Sequence, residues 1–119
     1  MKIQLQATNL KLTENIRAYV EKRLRPLEKL IDPNDTSVLC AVEVELTTRH
    51  HKTGDIYRSE INLHIAKRDF RAEARKEKLY DAIDETKNQM TKELTRHKEK
   101  QLKSVRKGGA KIKELVKGG

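Results

Sequence analysis

Apolar residues recur at two spacings along the chain. They occupy every second position in four segments, which is typical of strands that bury one face, and every third or fourth position in two others, which is typical of helices with one apolar stripe. The alternating segments are residues 3–7, 38–46, 57–65 and 70–74. The helical segments run from Thr13 to Ile31 and from Leu79 to at least Leu94.

The order of these elements, β-α-β-β-β-α, predicts the fold class. The link between the first two strands is long enough for a right-handed crossover, so we expect those strands to be parallel. The later links are short, which predicts an antiparallel meander. We therefore expect one α+β domain in which two helices pack on one face of a four-stranded mixed sheet.

Breaks in the patterns predict where the chain turns. Pro26 falls inside the first helix and predicts either a kink or a break, with a short second segment that starts at the proline. Turn residues over Asp32–Asp35 end that helix. We expect a polar loop over Arg49–Asp55, with a hairpin turn at Gly54, and a tight turn over Lys67–Asp69.

The positive charge of the chain is concentrated near its end. The net charge is +9, yet residues 1–86 hold 16 Lys and Arg against 15 Asp and Glu, whereas residues 87–119 hold 11 against 3. Clustered basic charge favours an anionic partner such as a nucleic acid, although a solvated tail that aids solubility is the alternative. Beyond Leu94 the apolar stripe thins, so we expect the last helix to outrun the sheet and to lose its pattern at Gly108-Gly109. We expect a domain over residues 1–102 and a basic, flexible tail over residues 103–119.

The sequence offers no arrangement that is typical of an enzyme. It contains no Gly-rich phosphate loop and no Ser or Cys nucleophile with an evident partner set. Cys40 falls on the inward face of its strand, so a buried structural thiol is expected. His50 and His51 lack further ligands at metal-binding spacing, and a basic loop is the better interpretation. We therefore expect no catalysis, no cofactor, no metal site and no small-molecule substrate.

The sequence also predicts the compartment. No apolar run approaches the length of a membrane span, and residues 1–4 enter an alternating pattern without the apolar region of a signal peptide. The single cysteine allows no intramolecular disulfide. We expect a cytoplasmic protein that has no membrane partner and is a monomer when free.

The two surfaces of the predicted fold differ in character. The exposed sheet face is expected to carry a mixed ladder of acidic, basic and uncharged polar residues, and it has no aromatic side chains on which bases could stack. In contrast, cations crowd the C-terminal half of each helix, and side-by-side packing would join them into one phosphate-binding surface. The alternative is that these cations are the ordinary solvated face of two helices.

Several segments together resemble a known family. They are residues 79–84 (LYDAID), 94–100 (LTRHKEK), 12–17 (LTENIR) and 24–30. Across about residues 1–102 the chain resembles the short form of the ribosome hibernation promoting factor and ribosome-associated inhibitor A family. Pro26 departs from the family pattern. Long members carry a second, dimerising domain, for which this chain is too short.

The resemblance implies a function and a set of contacts. It implies binding to the small (30S) ribosomal subunit in the channel between head and body, where the protein would occlude mRNA and the A- and P-site tRNAs and inhibit translation in stressed cells. By position, the implied contacts with 16S rRNA are Lys22, Arg23, Lys29, Lys87, Lys92, Arg96, His97, Lys98 and Lys100. Tyr80, Ala82 and Ile83 match the family motif, but their spacing suits packing of the helix on the sheet.

Two other functions fit the residues. Double-stranded RNA-binding domains share the β-β-β-α run, and such a module would bind arbitrary RNA duplexes about as well as ribosomes. A protein-interaction module would instead use its basic tail to contact an acidic partner, and deletion of residues 103–119 would then abolish its function.

Overall fold

A computed structural model describes the backbone of residues 1–51 and 54–107 and the side chains of residues 1–47 and 54–103. The strands are β1 (Ile3–Thr8), β2 (Leu39–His51), β3 (Gly54–Ile65) and β4 (Arg68–Lys76), and the α-helices are α1 (Glu14–Leu24) and α2 (Leu79–Lys107). A 3₁₀ helix, Arg25–Leu30, follows α1 directly. The predicted element order is confirmed.

The four strands form one mixed sheet in the order β1-β2-β3-β4. β1 lies parallel to β2, with Ile3 opposite Cys40, whereas β2-β3 and β3-β4 are antiparallel pairs. Val42, Ile61 and Ala72 lie side by side across the sheet. Because neighbouring strands are in register, the apolar positions of all four share one face, as predicted.

Both helices cover that apolar face. The core consists of Ile16, Val20, Leu24, Leu27, Cys40, Val42, Val44, Ile61, Leu63, Ala72, Ile83, Met90 and Leu94. Two polar side chains, Ser59 and Thr86, are also buried, and Thr86 Oγ1 lies 2.9 Å from Ser59 Oγ and 2.7 Å from the Ala82 carbonyl. The hydroxyl pair thus joins α2 to β3 without leaving an unpaired polar group in the core.

The α-helix ends just before Pro26, and a short 3₁₀ segment that contains the proline follows it. Of the two predicted alternatives, the structure thus shows the break and not the kink. Thr13 caps α1 by accepting a hydrogen bond from the Ile16 N–H at 3.2 Å, and α1 ends at Leu24. Proline fits the first turn of a helix because it has no N–H to donate. The chain therefore continues as a 3₁₀ helix, which keeps Leu27 buried.

Two predicted turns differ from the structure. The predicted bounds of the polar loop, Arg49–Asp55, were wrong, because β2 continues to His51 and β3 begins at Gly54. The hairpin itself is confirmed, since β2 and β3 are antiparallel with His51 opposite Gly54. The alternating pattern reports burial, whereas two strands can pair through their backbones where both faces are polar. The basic-loop interpretation of His50 and His51 concerned side chains that lie outside the described residues.

The tight turn lies earlier in the chain than predicted. Ala66 and Lys67 form it, with φ of 48° and 66°, and β4 already begins at Arg68. The predicted bounds of the turn, Lys67–Asp69, were therefore wrong. Left-handed backbone at two successive residues matches the twist of a two-residue hairpin.

Helix α2 continues to Lys107, well past Leu94, its last buried residue in the described part of the chain. The predicted boundary between residues 102 and 103 falls inside α2. The predicted end at Gly108-Gly109 and most of the predicted tail lie outside the described residues. Within the described ranges, no helix has the length and apolar character needed to cross a membrane.

The helix register can be tested at Ile83, whose side chain is 1% exposed. Ile83→Ala should lower the free energy of unfolding by about 2–5 kcal/mol, because it removes core contacts and leaves a cavity. Urea denaturation measures this change. Leu102→Ala, at a site that is 51% exposed, is the control and should change stability little. Equal effects of the two substitutions would contradict the register.

Candidate nucleic-acid interface

The outer face of the sheet is an ion-pair network centred on Arg58. Its guanidinium lies 2.7 Å from Glu43, 3.2 Å from Glu45 and 3.2 Å from Glu73, and it also pairs with Glu60. These hydrogen bonds, led by that to Glu43, raise the pKa of Arg58. The same contact lowers the pKa of Glu43. Four carboxylates from three strands therefore share one cation.

Two further arginines of β4 belong to the same network. Arg71 pairs with Glu60 at 2.6 Å and with Glu73 at 2.9 Å, and Arg75 lies 3.7 Å from Glu73. The mixed ladder expected from the sequence is thus confirmed. Its arginines are occupied by carboxylates, and the acidic side chains would repel phosphate. The sheet face is poorly suited to contact a nucleic acid.

An ion pair and a hydrogen bond, both made to Asp84, hold α1 against α2 on the opposite side of the molecule. Arg23 Nε lies 2.8 Å from Asp84 Oδ1, and the Tyr19 hydroxyl donates to the same oxygen at 2.6 Å. Arg23 Nε also lies 3.3 Å from the Tyr19 hydroxyl. The Arg23 guanidinium holds the pKa of Asp84 below its usual range. Arg23, expected from the sequence to contact rRNA, thus also has a structural partner.

Two other predicted cations lie on the same helical side. Lys87 is half-buried one turn beyond Asp84, and its charge contributes to the lowered pKa of that carboxyl. Lys22, on α1, is exposed.

A groove of about 650 Å³ brings three more predicted residues together. Lys29 of the 3₁₀ helix and His97 and Lys98 of α2 line it. Its apolar walls include Phe70 and Leu94. The groove therefore brings basic side chains from the 3₁₀ helix and from α2 close together.

Two contacts shape this groove. The Asp35 carboxylate accepts a hydrogen bond from the Ala66 N–H at 3.0 Å, which ties the loop after the 3₁₀ helix to the β3–β4 turn. His97 packs edge-on against Phe70 with ring centroids 5.2 Å apart, and its Nδ1 accepts from Arg68 Nη1 at 3.0 Å. His97 thus packs on Phe70 and accepts a hydrogen bond from Arg68, a cation that is absent from the predicted contacts.

The remaining predicted cations lie elsewhere around α2. Arg96 pairs with Glu93 at 3.2 Å, and Lys92 and Lys100 are exposed. At 3.6 residues per turn, Lys92, Arg96 and Lys100 are four residues apart and lie along one side of α2, whereas Lys98 lies on another. The cations of this segment therefore face two directions. Their contacts with rRNA stay a prediction.

The family motif at the start of α2 serves two purposes. Ala82 and Ile83 are buried, which confirms their expected packing. Tyr80 was expected to pack on the sheet, and this was wrong: it is 39% exposed and stacks on Tyr19, with ring centroids 4.2 Å apart and an interplanar angle of 6°. Each tyrosine has a helical position that the sequence predicts, but their contact could not be predicted because Tyr19 and Tyr80 are far apart in the chain.

The side chains with catalytic or metal-binding potential are few. Cys40 is fully buried, as predicted, and burial raises the pKa of its thiol to about 11, so the thiolate is disfavoured. Among the described residues, no group of three or more His, Cys, Asp or Glu side chains is arranged to hold a metal ion.

Comparison with known proteins identifies the family. Residues 3–102 match the family model described as "Sigma 54 modulation protein / S30EA ribosomal protein". This chain belongs to that family. The resemblance inferred from the motifs at the two helices is therefore confirmed, and the matched residues include all nine predicted contact positions.

Relatives in the family carry informative names. The ribosome hibernation promoting factor of Azotobacter vinelandii is 29% identical over 102 residues, which cover 86% of this chain and 87% of that protein. The factor of the same name from Escherichia coli K12 is 27% identical over 100 residues, which cover 84% and 96%. The ribosome hibernation promotion factor of Bacillus subtilis is 25% identical over 118 residues, which cover 99% of this chain and 59% of that longer protein.

Solved structures share the fold. The N-terminal domain of Thermus thermophilus Protein Y superposes with a TM-score of 0.68 at 26% identity, covering 82% of this chain and 99% of that domain. A ribosomal subunit interface protein from Coxiella burnetii has a TM-score of 0.66 at 16% identity, covering 82% and 98%, which supports the fold alone.

The neutralising role of Arg58, whose side chain is 12% exposed, can be tested by stability. Arg58→Met keeps much of the aliphatic stem but leaves four carboxylates without their shared cation, so the free energy of unfolding should fall by about 1–3 kcal/mol. Urea denaturation at neutral pH measures the change. Arg75→Met, at a site that is 62% exposed, should have almost no effect. If the Arg58 variant were as stable as the unsubstituted protein, the network would not hold the strands.

Proposed function

We propose that this protein binds the small ribosomal subunit through its helical face, which is the solvated side of α1, the 3₁₀ helix and α2. In this proposal it silences the subunit without catalysing a reaction. In this proposal it occupies the channel between head and body, contacts 16S rRNA there, and excludes mRNA and the A- and P-site tRNAs by its volume. The proposal makes it a translation regulator of stressed or resting cells. The names of the family relatives, ribosome hibernation promoting factors, support this assignment.

The observation that carries the proposal is that charges are paired on the sheet face, whereas most cations of α2 have no carboxylate partner among the described residues. On the sheet face, arginines and carboxylates pair with one another. Between residues 87 and 103, α2 carries six Lys and Arg against two Glu. In the described part of the chain, Arg96 is the one member of this set that forms an ion pair with a carboxylate. The helical face therefore keeps cations available for phosphates.

This arrangement suits a protein that binds the phosphate backbone of a nucleic acid. Each phosphate that a Lys or Arg neutralises releases counterions, so affinity grows with the number of contacts and falls steeply with salt. The extended α2 lets cations reach phosphates at several places around its circumference. Such contacts position a protein without reading sequence, so we propose that the shape of the ribosomal channel supplies the specificity.

The proposed contacts keep the nine predicted residues with one refinement. Lys22, Lys29, Lys92, Lys98 and Lys100 are exposed lysines and serve as phosphate contacts, as does Arg96, an exposed arginine that also pairs with Glu93. Arg23 and Lys87 flank Asp84, and His97 packs on Phe70. These three have a structural role beside any contact with RNA.

The experiment reverses two α2 charges. Lys92→Glu with Arg96→Glu should reduce affinity for purified small subunits at least tenfold, because each reversal removes a phosphate contact and adds repulsion. Co-sedimentation at moderate salt and inhibition of translation in an extract measure the effect. Both sites are exposed, so circular dichroism should show an unchanged fold.

The matched control applies the same change in charge to the sheet side. Lys2→Glu with Arg75→Glu should retain binding, since both side chains are exposed outside the helical face. Unsubstituted protein that stays at the top of the gradient would overturn the proposal. Duplex RNA that competes as well as subunits would favour a general duplex binder, and loss of binding on deletion of residues 103–119 alone would favour a tail-mediated module.

A further inference from the structure

Three side chains form a layered stack at the junction of the helices. The Arg23 guanidinium lies over the Tyr19 ring, 5.6 Å from its centroid, and the Tyr80 ring stacks on Tyr19. Asp84 fixes the arrangement by accepting hydrogen bonds from both Arg23 and Tyr19. The stack thus holds Tyr80 in one orientation, although Tyr80 is the more exposed of the two tyrosine rings.

Tyr80 opens onto a groove of about 700 Å³ between the start of α2 and the loop that leads into α1. Its walls combine apolar side chains, Leu10 and Leu79, with a second aromatic ring, Tyr57. Two lysines, Lys11 and Lys78, also line it. An aromatic face, apolar walls and cations are the elements with which proteins hold an unpaired base and its phosphate.

We infer that Tyr80 is a stacking platform for an unpaired nucleobase of the bound RNA, which enters the Leu10–Tyr57–Tyr80 groove. The inference rests on the proposed function for the identity of the partner as RNA. It assigns to this protein a base-stacking contact beside the phosphate contacts of α2. Glu77 and Asp81 also line the groove. The sugar-phosphate backbone should therefore run along the wall formed by Lys11.

The other groove is less suited to this task. In the groove between Lys29 and Lys98, the Phe70 ring already has two partners. The His97 ring packs on it in a T-shaped arrangement, and the Arg68 guanidinium lies 5.7 Å from the centroid of the Phe70 ring. Tyr80, in contrast, has 39% of its surface exposed despite the stack with Tyr19. A preformed and partly uncovered ring binds a base without the cost of ordering a flexible side chain.

The test uses the full chain and two ten-nucleotide RNA probes. One is oligouridylate with 2-aminopurine at its centre, whose fluorescence falls when the base stacks. The other is an abasic oligomer of the same charge. The unsubstituted protein should quench the fluorescence and bind the base-bearing probe at least fivefold more tightly than the abasic one. Tyr80→Phe should behave in the same way, because it keeps the ring.

Tyr80→Leu should lose the quenching and bind both probes with the weaker, abasic affinity, while the salt dependence of binding stays unchanged. A merely structural role for Tyr80 would not produce this selective loss for the base-bearing probe. If Tyr80→Leu failed to fold, Tyr80→Met, which also removes the ring, would take its place in the comparison.

Equal binding of the two probes, or quenching that survives Tyr80→Leu, would overturn the inference. This failure is distinguishable from that of the proposed function. Unsubstituted protein that co-sediments with small subunits but shows no preference for bases would refute the platform alone. Unsubstituted protein that does not co-sediment would refute the proposed function.

Discussion

The burial of both helices on one face of the sheet determines where the charges of this protein lie. Burying the stripe that runs from Ile16 to Leu27 and the one from Ile83 to Leu94 leaves each helix with a solvated outer face. It also leaves the far side of the sheet uncovered, so the polar positions of all four strands face water there. The molecule thus has two polar surfaces that are separated by one apolar layer.

Charges pair on the sheet face but seldom on the helical face, and the reason is geometric. Side chains opposite one another in neighbouring strands lie close enough to pair, and Arg58 sits between the carboxylates of Glu43 and Glu73 on adjacent strands. On α2 a cation finds a partner only three or four residues away along the helix, and acidic residues are scarce after Lys87. The sheet face therefore neutralises itself, and the helical face retains positive charge.

Much of this could be predicted from the sequence. Period two and period 3.6 identified every strand and helix, because the core is a single layer and burial follows alternation directly. The same reasoning failed over Arg49–Asp55, because β2 and β3 remain paired as far as His51 and Gly54. It also misplaced the turn at Ala66, whose conformation depends on the twist of the hairpin.

The candidate site was predictable in composition but less so in arrangement. The charge count located the basic end of α2, since it needs no knowledge of contacts. The sequence could not show that Arg23 pairs with Asp84, that His97 packs on Phe70, or that Tyr80 stacks on Tyr19. Each of these contacts joins residues from different elements, so it exists only once both helices have docked on the sheet.

The central claim is that the helical face, and not the sheet face, meets the ribosome. Mass spectrometry of lysine acetylation, with the protein free and bound to small subunits, tests this most directly. If the helical face binds the subunit, the complex should protect Lys22, Lys29, Lys92, Lys98 and Lys100, while Lys2 stays as reactive as in the free protein. Protection of Lys2 with unchanged reactivity along α2 would contradict it.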